Sequence, residues 1–181
     1  VSTVENSDKN YFLIKGITGS GKTEVYIRLI KNALIEGNGS IFLVPEISLT
    51  PQMMSRLKKE FSNNVALLHS RLTNKERKEE WYSIKSGDKK VVIGARSAIF
   101  APVQNLKYII LDEEHETTYK QENNPRYHTK NVAIKRANLL GNVKVIFGSA
   151  TPSFETYYQA KEGIIELIEL NSRYNDAKKP T

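Results

Sequence analysis

The residues with the clearest chemical potential lie at 16–23, where the sequence reads GITGSGKT. This spacing matches the phosphate-binding P-loop, G-x-x-x-x-G-K-[ST], and it stands between an apolar run at 11–14 and a stretch of helical periodicity at 23–36. Between a strand and a helix, such a loop directs its N–H groups and the positive end of the helix dipole at one anion. The alternative is an ordinary glycine-rich turn. We expect the phosphates of a nucleotide to be bound by Gly16, Thr18, Gly19, Ser20, Gly21, Lys22 and Thr23.

Within this loop, Lys22 can reach the β- and γ-phosphates, and the hydroxyl of Thr23 can hold Mg²⁺. Hydrolysis also needs carboxylates, and Asp112 and Glu113 follow directly after the apolar run 108–111. We expect Asp112 to complete the Mg²⁺ coordination, directly or through water, and Glu113 to orient and deprotonate the attacking water. ATP and Mg²⁺ are the expected cofactors, and Lys22, Asp112 and Glu113 the expected catalytic residues. An acidic solvated turn is the alternative for Asp112 and Glu113.

A third polar segment, GSATP at 148–152, follows another apolar run. The hydroxyls of Ser149 and Thr151 are placed to hydrogen-bond the acidic segment and to sense the γ-phosphate, and His115 could bridge the two segments. We therefore assign these three residues a coupling role. Each has a plainer alternative, because Ser149 or Thr151 could cap the next helix and His115 could be a satisfied structural histidine.

The elements that must position these segments alternate between strands and helices. Continuous apolar runs predict strands at 11–14, 40–44, 65–68, 90–94, 107–111, 143–147 and 164–170. Helical spacing and capping signals predict helices at 23–36, 51–61, 73–86, 129–140 and 153–161. This alternation predicts an α/β P-loop NTPase, an open parallel sheet of about seven strands with helices on both faces. The polar segments fall at the carboxyl ends of strands, where ligands bind in such sheets.

Composition narrows the class of protein. The 181 residues fit one domain, and the absence of cysteine with only three histidines argues against disulfides and structural zinc. No apolar run approaches the roughly 18 residues that span a bilayer, so we expect a cytoplasmic protein without a membrane partner. The formal charge of +7 favours a polyanionic partner, because phosphates attract clustered lysine and arginine.

Five segments also occur in the order of helicase motifs. They read GITGSGKTEVY at 16–26, PEISLT at 45–50, GARSAIF at 94–100, DEEH at 112–115 and GSATPS at 148–153. Together they resemble motifs I, Ia, Ib, II and III of superfamily 2 helicases. The stretch 112–128 is similar to the PriA family of primosomal replication-restart helicases.

This resemblance implies a RecA-like fold and ATP hydrolysis coupled to 3′-to-5′ unwinding of DNA in replication restart. In such enzymes two RecA-like lobes close over ATP; residues 1–170 resemble the first lobe, and 171–181 a linker toward the second. Forked or single-strand/duplex junction DNA and replication-restart proteins are the implied partners. No glutamine precedes Lys22, so we expect the adenine-reading residues, like the arginine finger, outside this sequence. Because hydrolysis needs both lobes, we expect this chain alone to hydrolyse ATP slowly or not at all.

The resemblance also assigns DNA contacts. Motifs Ia and Ib imply contacts to the DNA backbone from Ser48, Thr50, Arg96 and Ser97. Thr50 is equally suited to cap a helix, and Ala95 stands where a threonine is common in motif Ib.

The segment 116–128 resembles the aromatic-rich loop thought to link DNA binding to hydrolysis in this family, and at 116–127 we expect an ordered loop without helical or strand periodicity. Tyr119 and Tyr127 offer stacking faces, and Lys120 and Arg126 offer charge, a mixture that suits single-stranded nucleic acid. A solvated surface loop is the alternative.

Two other functions stay open. The chain could belong to another superfamily 2 DNA translocase, such as a branch-migration or repair helicase. It could also be a nucleotide-switched DNA-binding module that uses ATP for affinity without turnover.

Overall fold

A computed structural model describes residues 1–170, and the predicted linker at 171–181 lies outside the described residues. Within this range the helices are α1 (Ser2–Asn6), α2 (Lys22–Ile35), α3 (Pro51–Phe61), α4 (Asn74–Ser86), α5 (Thr129–Leu140) and α6 (Phe154–Lys161). The strands are β1 (Tyr11–Gly16), β2 (Gly39–Leu43), β3 (Val65–Leu68), β4 (Val91–Gly94), β5 (Leu106–Leu111), β6 (Lys120–Gln121), β7 (Tyr127–His128), β8 (Lys144–Ser149) and β9 (Glu166–Leu170). None of these helices combines the length and apolar character needed to cross a membrane.

Seven of the strands form one sheet in the order β3-β4-β2-β5-β8-β1-β9, and every pairing in it is parallel. Helices cover both faces: α2 and α3 bury Leu29 and Leu57 against one face, and α4, α5 and α6 bury Ile84, Ala133 and Ala160 against the other. The predicted α/β fold, with about seven strands and helices on both faces, is confirmed.

The strands are continuous apolar runs because the sheet is covered twice. In β1, Phe12 and Ile14 pack into the core on one face and Leu13 into the core on the other, and all three are fully buried. A strand that alternates its side chains between two covered faces favours apolar residues at successive positions.

The helix starts follow the predicted capping residues. Thr50 accepts a hydrogen bond from the N–H of Met53 at 3.2 Å and is followed by proline, and Thr73 forms a reciprocal capping box with Glu76. Ser153 caps α6 by accepting from the N–H of Thr156. Neither Ser149 nor Thr151 caps that helix.

The structure contains short elements that the sequence-based assignment lacks, among them 3₁₀ helices at 46–48, 62–64 and 96–100. The short helix α1 was not predicted, because it has a single buried apolar residue, Val4. The segment 116–128 is not free of regular structure: it contains a 3₁₀ turn, Thr117–Tyr119, and the antiparallel pair β6–β7. Two-residue strands leave no periodicity for a sequence pattern to reveal.

The sheet order places the polar segments together. Strands β5, β8 and β1 are neighbours, so the residues that follow their carboxyl ends meet at one edge of the sheet. In the register of β1 with β8, Lys15, one residue before the end of β1, lies opposite Ser149, the last residue of β8.

Candidate nucleotide-binding site

The P-loop turns back over the end of β1 through two glycines in the left-handed region. The φ angles are 80° at Gly19 and 91° at Gly21, a conformation that costs glycine little. A Cβ at Gly16 would lie 2.4 Å from the Ser20 hydroxyl oxygen, so the start of the loop requires glycine too. The Ser20 hydroxyl is buried and has no hydrogen-bond partner among the described residues. A polar atom left unpaired inside this loop fits a phosphate oxygen as its missing acceptor.

Lys22 crosses the loop to the acidic segment. Its Nζ donates to the carbonyl of Gly16 at 2.7 Å and lies 3.6 Å from Glu113 Oε1, and its side chain is only 7% exposed. Glu113 has a φ of 45°, a left-handed backbone that is unusual for a residue with a side chain and concentrates at functional sites. The structure therefore brings the predicted phosphate-binding lysine and the predicted base into one ion pair.

Asp112 is held by a residue that sequence reasoning missed. The hydroxyl of Tyr26, a fully buried residue of α2, donates to Asp112 Oδ1 at 3.2 Å. A Cβ at Gly148 would come within 1.6 Å of this hydroxyl, so glycine there makes room for the contact. Tyr26 fits the apolar periodicity of α2, and the pattern gives no sign that its hydroxyl has a partner.

The electrostatics at Asp112 favour a bound cation. Burial, with a further contribution from Glu113, raises the pKa of Asp112 to about 6, because the buried anion lacks solvation. Mg²⁺ is commonly bound by one or two carboxylates together with substrate phosphates. Within residues 1–170, no group of three or more His, Asp or Glu side chains is placed to hold a metal ion by itself. Asp112 and Thr23, which line the same cleft, are the residues that fit it.

We call this depression the P-loop cleft. It encloses about 420 Å³ and is lined by Thr18, Gly19, Gly21, Lys22, Thr23, Glu24, Ser48, Met53, Arg56, Asp112 and Glu113. Ser48, predicted to contact DNA, lies here. Arg56 adds a cation that no motif predicted; it also lies 3.8 Å from Glu24.

His115 lies between the acidic segment and the 148–153 loop. Its Nδ1 is 2.8 Å from the Ser149 hydroxyl and 3.6 Å from Glu113 Oε2. The Ser149 hydroxyl also accepts from the N–H of Thr151 at 3.0 Å, whereas the Thr151 residue is exposed. These contacts link the proposed base to the loop through one imidazole.

Behind the cleft, a buried polar cluster joins the acidic segment to two helices. Glu114, with its side chain fully buried, accepts from Lys130 Nζ at 2.5 Å, the N–H of Ser153 at 2.6 Å and the Thr156 hydroxyl at 3.0 Å. Burial opposes ionisation of Glu114. The hydrogen bond and charge of Lys130, with the hydrogen bonds from Ser153 and Thr156, outweigh this effect and lower the pKa of Glu114. We call this cluster of Glu114, Lys130, Ser153 and Thr156 the Glu114 junction. Sequence reasoning missed it, since nothing in the sequence pairs Glu114 with Lys130.

A second cleft, of about 500 Å³, lies beside the 116–128 segment. We call it the tyrosine cleft; Arg96, Ser97, Phe100 and Tyr127 line it, and the Phe100 and Tyr127 rings meet edge to face at 5.0 Å. Arg96 Nη1 donates to the carbonyls of Thr118 and Lys120 at 3.1 and 2.6 Å. Phe100, which is 47% exposed, is a residue of this cleft to which the sequence analysis assigned no role.

The prediction that Tyr119 offers a stacking face is wrong. Tyr119 is 1% exposed, its ring packs into the core, and its hydroxyl donates to the backbone carbonyl of Asp112 at 2.7 Å. A ring enclosed in this way has no face for a base. Of the other predicted loop residues, Lys120 and Arg126 are exposed and Tyr127 is half-buried. The Thr50 residue is exposed, but its hydroxyl is engaged as a helix cap.

Comparison with known proteins identifies the family. The model of the family "DEAD/DEAH box helicase" matches residues 2–160. The chain belongs to the DEAD/DEAH box helicase family. In this helicase chain, the match includes both clefts and the Glu114 junction.

Curated relatives sharpen the resemblance to replication-restart helicases. The helicase chain is 50% identical over 178 residues to the replication restart protein PriA of Bacillus subtilis (strain 168), covering 98% of this chain and 22% of the relative. It is 44% identical over 173 residues to the protein of the same name from Chlamydia pneumoniae, covering 95% of this chain and 23% of the relative. The predicted resemblance is confirmed, and the chain spans less than a quarter of the length of these relatives.

A solved structure shows the same fold. RecG bound to a three-way DNA junction superposes with a TM-score of 0.69 at 24% identity, covering 98% of this chain and 23% of that one. The helicase fold is therefore retained where most side chains differ.

Proposed function

We propose that this chain is the first ATP-binding lobe of a 3′-to-5′ DNA helicase that acts in replication restart, with 171–181 leading to a second lobe. One observation carries the proposal: Lys22, Asp112 and Glu113 converge on a single cleft at the carboxyl end of a parallel sheet. Membership of the DEAD/DEAH box family and 50% identity to a replication restart protein support it.

The P-loop cleft supplies the groups that ATP hydrolysis requires. The N–H groups of 16–23, the Ser20 hydroxyl and Lys22 bind the phosphates, with Lys22 exchanging the Gly16 carbonyl for phosphate oxygens. Thr23 and Asp112 hold Mg²⁺, which when bound neutralises charge on the phosphates. Glu113 orients the attacking water and accepts its proton.

Communication with DNA passes through the contacts that surround this cleft. His115 connects Glu113 to Ser149, and the Ser149 hydroxyl connects to the N–H of Thr151. A movement of the 148–153 loop or of His115 therefore changes the position of the proposed base, Glu113. Around the tyrosine cleft, the DNA backbone is contacted by Ser97, Lys120 and Arg126. The ring of Tyr127 stacks on the bases. Arg96 contributes its remaining donors and its charge.

The partners we propose are forked or junction DNA, a second lobe of the same protein that completes the ATP site, and replication-restart proteins. The DNA junction bound by the RecG structure, which shares this fold, supports a DNA partner. The chain alone, with one face of the site open, hydrolyses ATP slowly or not at all.

The test is Glu113→Gln in the full-length protein that carries this sequence. Loss of a catalytic base lowers DNA-stimulated ATPase activity by about 10²- to 10⁴-fold, while ATP binding is retained. Glu162→Gln is the matched control, because Glu162 is an exposed acid that does not line the cleft. Undiminished ATP turnover in Glu113→Gln would contradict the assignment of Glu113 as the catalytic base. A wild-type protein that binds ATP and DNA without turnover would instead be a nucleotide-switched binding module.

Unwinding assays separate the proposal from another superfamily 2 translocase. We expect the full-length protein to prefer forked DNA over plain duplex and to move 3′ to 5′. Equal activity on both substrates would favour a general DNA translocase.

A further inference from the structure

Strand β3 forms an open edge of the sheet. Among the described residues it pairs only with β4, and the carbonyls of Asn64 and Leu68 accept from the N–H groups of Lys90 at 3.1 Å and Ala95 at 3.4 Å. Alternate residues of a strand direct both backbone polar groups to the same side. Val65 and Leu67 therefore direct their N–H and C=O groups away from the sheet, where no strand of residues 1–170 meets them.

This edge lies at the floor of a groove of about 750 Å³. The strand contributes Val65, Leu67 and His69, the positions that alternate with the residues paired to β4. Helices α3 and α4 form the walls. The floor thus combines outward-directed backbone groups with apolar side chains, and His69 Nδ1 is buried there without a hydrogen-bond partner in the described part of the chain.

The wall formed by α4 is acidic in a chain whose formal charge is +7. Glu76, Glu79 and Glu80 line the groove from this side, whereas Lys58 lines it from α3 and Lys89 lies beside Glu80, so the acids outnumber the bases by one. Lys89 neutralises Glu80 at 2.8 Å. The Glu79 side chain is 64% exposed, and its carboxylate lies 4.0 Å from the Nζ of Lys75, whose side chain is 88% exposed. The free carboxylate charge of this wall is therefore available to a basic ligand.

The two walls require different side chains from a ligand. Helix α4 packs on the face that holds Ala66 and Leu68, and α3 on the face that holds Val65 and Leu67. Successive side chains of an added strand point to opposite faces. A segment with basic residues at every second position would place them toward α4 and its uncharged residues toward the α3 side, where Lys58, Ser62 and Asn63 line the groove and Lys58 would repel a cation.

We propose that the edge groove, the groove lined by Val65, Leu67, His69 and the α4 glutamates, binds an extended lysine- or arginine-containing segment of a partner protein by strand addition. Main-chain hydrogen bonds to Val65 and Leu67 supply affinity, and the α4 carboxylates select basic side chains. The site is independent of the proposed ATP chemistry, because β4, β2, β5 and β8 separate β3 from the P-loop strand β1.

The test uses the full-length protein that carries this sequence and an N-fluorescein-labelled, C-amidated seven-residue peptide of alternating lysine and valine. We expect saturable binding by fluorescence anisotropy, with slowed hydrogen exchange at the Val65 and Leu67 amides. A peptide of the same charge with a central proline binds at least about tenfold more weakly, because proline removes a donor and disrupts the strand. Equal binding of the two peptides, or binding that leaves both amides unprotected, overturns the proposal.

Glu79→Lys tests the charge selection. Replacing attraction by repulsion weakens peptide binding by about threefold to tenfold, while Glu155→Lys, the same change at an exposed site on α6, leaves it unchanged. Equal effects of the two variants contradict the proposal. If protection of the Val65 and Leu67 amides grows with protein concentration in the absence of peptide, the groove binds a second copy of the chain. If single-stranded DNA protects these amides, the groove binds nucleic acid. Either result overturns a basic peptide as the occupant.

Discussion

The P-loop cleft and the tyrosine cleft lie at the same end of the sheet and are built in opposite ways. At the P-loop cleft, the buried Lys22 side chain contacts Glu113, and the buried Tyr26 hydroxyl donates to Asp112. In the second, Phe100 is half exposed, and Arg96 fixes the neighbouring segment by holding backbone carbonyls.

This difference suits the two proposed ligands. Phosphate chemistry needs charges fixed in position and shielded from water, since preorganised groups stabilise developing charge without rearranging. A DNA strand that passes through needs exposed rings and cations that accept any sequence. Tyr119 links the two clefts, because it belongs to the exposed segment by sequence and to the buried site by its contact with Asp112.

The largest effect is expected at the Glu114 junction behind the P-loop cleft. Glu114→Leu leaves the Lys130 ammonium buried without its carboxylate, at a cost of about 3–5 kcal/mol in the free energy of unfolding. Urea denaturation of the chain measures it. The double variant Glu114→Leu with Lys130→Met recovers most of the loss, because it removes the unpaired charge. A single variant as stable as the wild type would mean that the junction is not closed in solution.

The next effect concerns the close approach of Tyr26. Gly148→Ala places a Cβ where the Tyr26 hydroxyl lies, so the chain loses about 1–3 kcal/mol of stability by overpacking. Combining it with Tyr26→Phe removes the nearest clashing atom and restores part of the loss in the same denaturation experiment. Additive losses in the double variant would contradict the contact.

The two tyrosines of the 116–128 segment provide a direct comparison of the clefts. Tyr119→Phe removes the hydrogen bond to the Asp112 carbonyl and lowers the free energy of unfolding by about 1 kcal/mol. Tyr127→Phe, at a half-buried ring of the tyrosine cleft, changes it by less than about 0.5 kcal/mol. Equal changes would remove the distinction between the buried and the exposed tyrosine.

The smallest effect on stability is expected at Arg96. Arg96→Lys keeps the charge but loses the planar fork, and unfolding free energy falls by less than about 1 kcal/mol. Hydrogen exchange at 117–121 speeds up, because the carbonyls of Thr118 and Lys120 lose a shared donor. Arg126→Lys serves as the control, since Arg126 hydrogen-bonds only to the carbonyl of Glu122 among the described residues. We expect this variant to leave hydrogen exchange at 117–121 unchanged.

Much of the fold was predictable because its signals are local. Continuous apolar runs predicted the strands of the large sheet, and capping residues such as Thr50 and Thr73 predicted helix starts, because a cap depends on neighbours three residues away. The P-loop is equally local. That Asp112 meets it followed from the rule that parallel strands present their carboxyl ends at one edge.

The partners of buried side chains were decided only by the tertiary structure. Tyr26 and Asp112 are 86 positions apart in the chain. The pattern predicted Tyr26 as an apolar helix residue and Tyr119 as a stacking face for DNA, and only the packing shows that both are enclosed. The pairing of Glu114 with Lys130 and the open edge of β3 depend likewise on which elements pack side by side. The sequence by itself determined which chemistry the chain carries, because motif spacing is a property of neighbouring residues. Burial and strand order are properties of the assembled sheet, and they decided which side chains remain free to act.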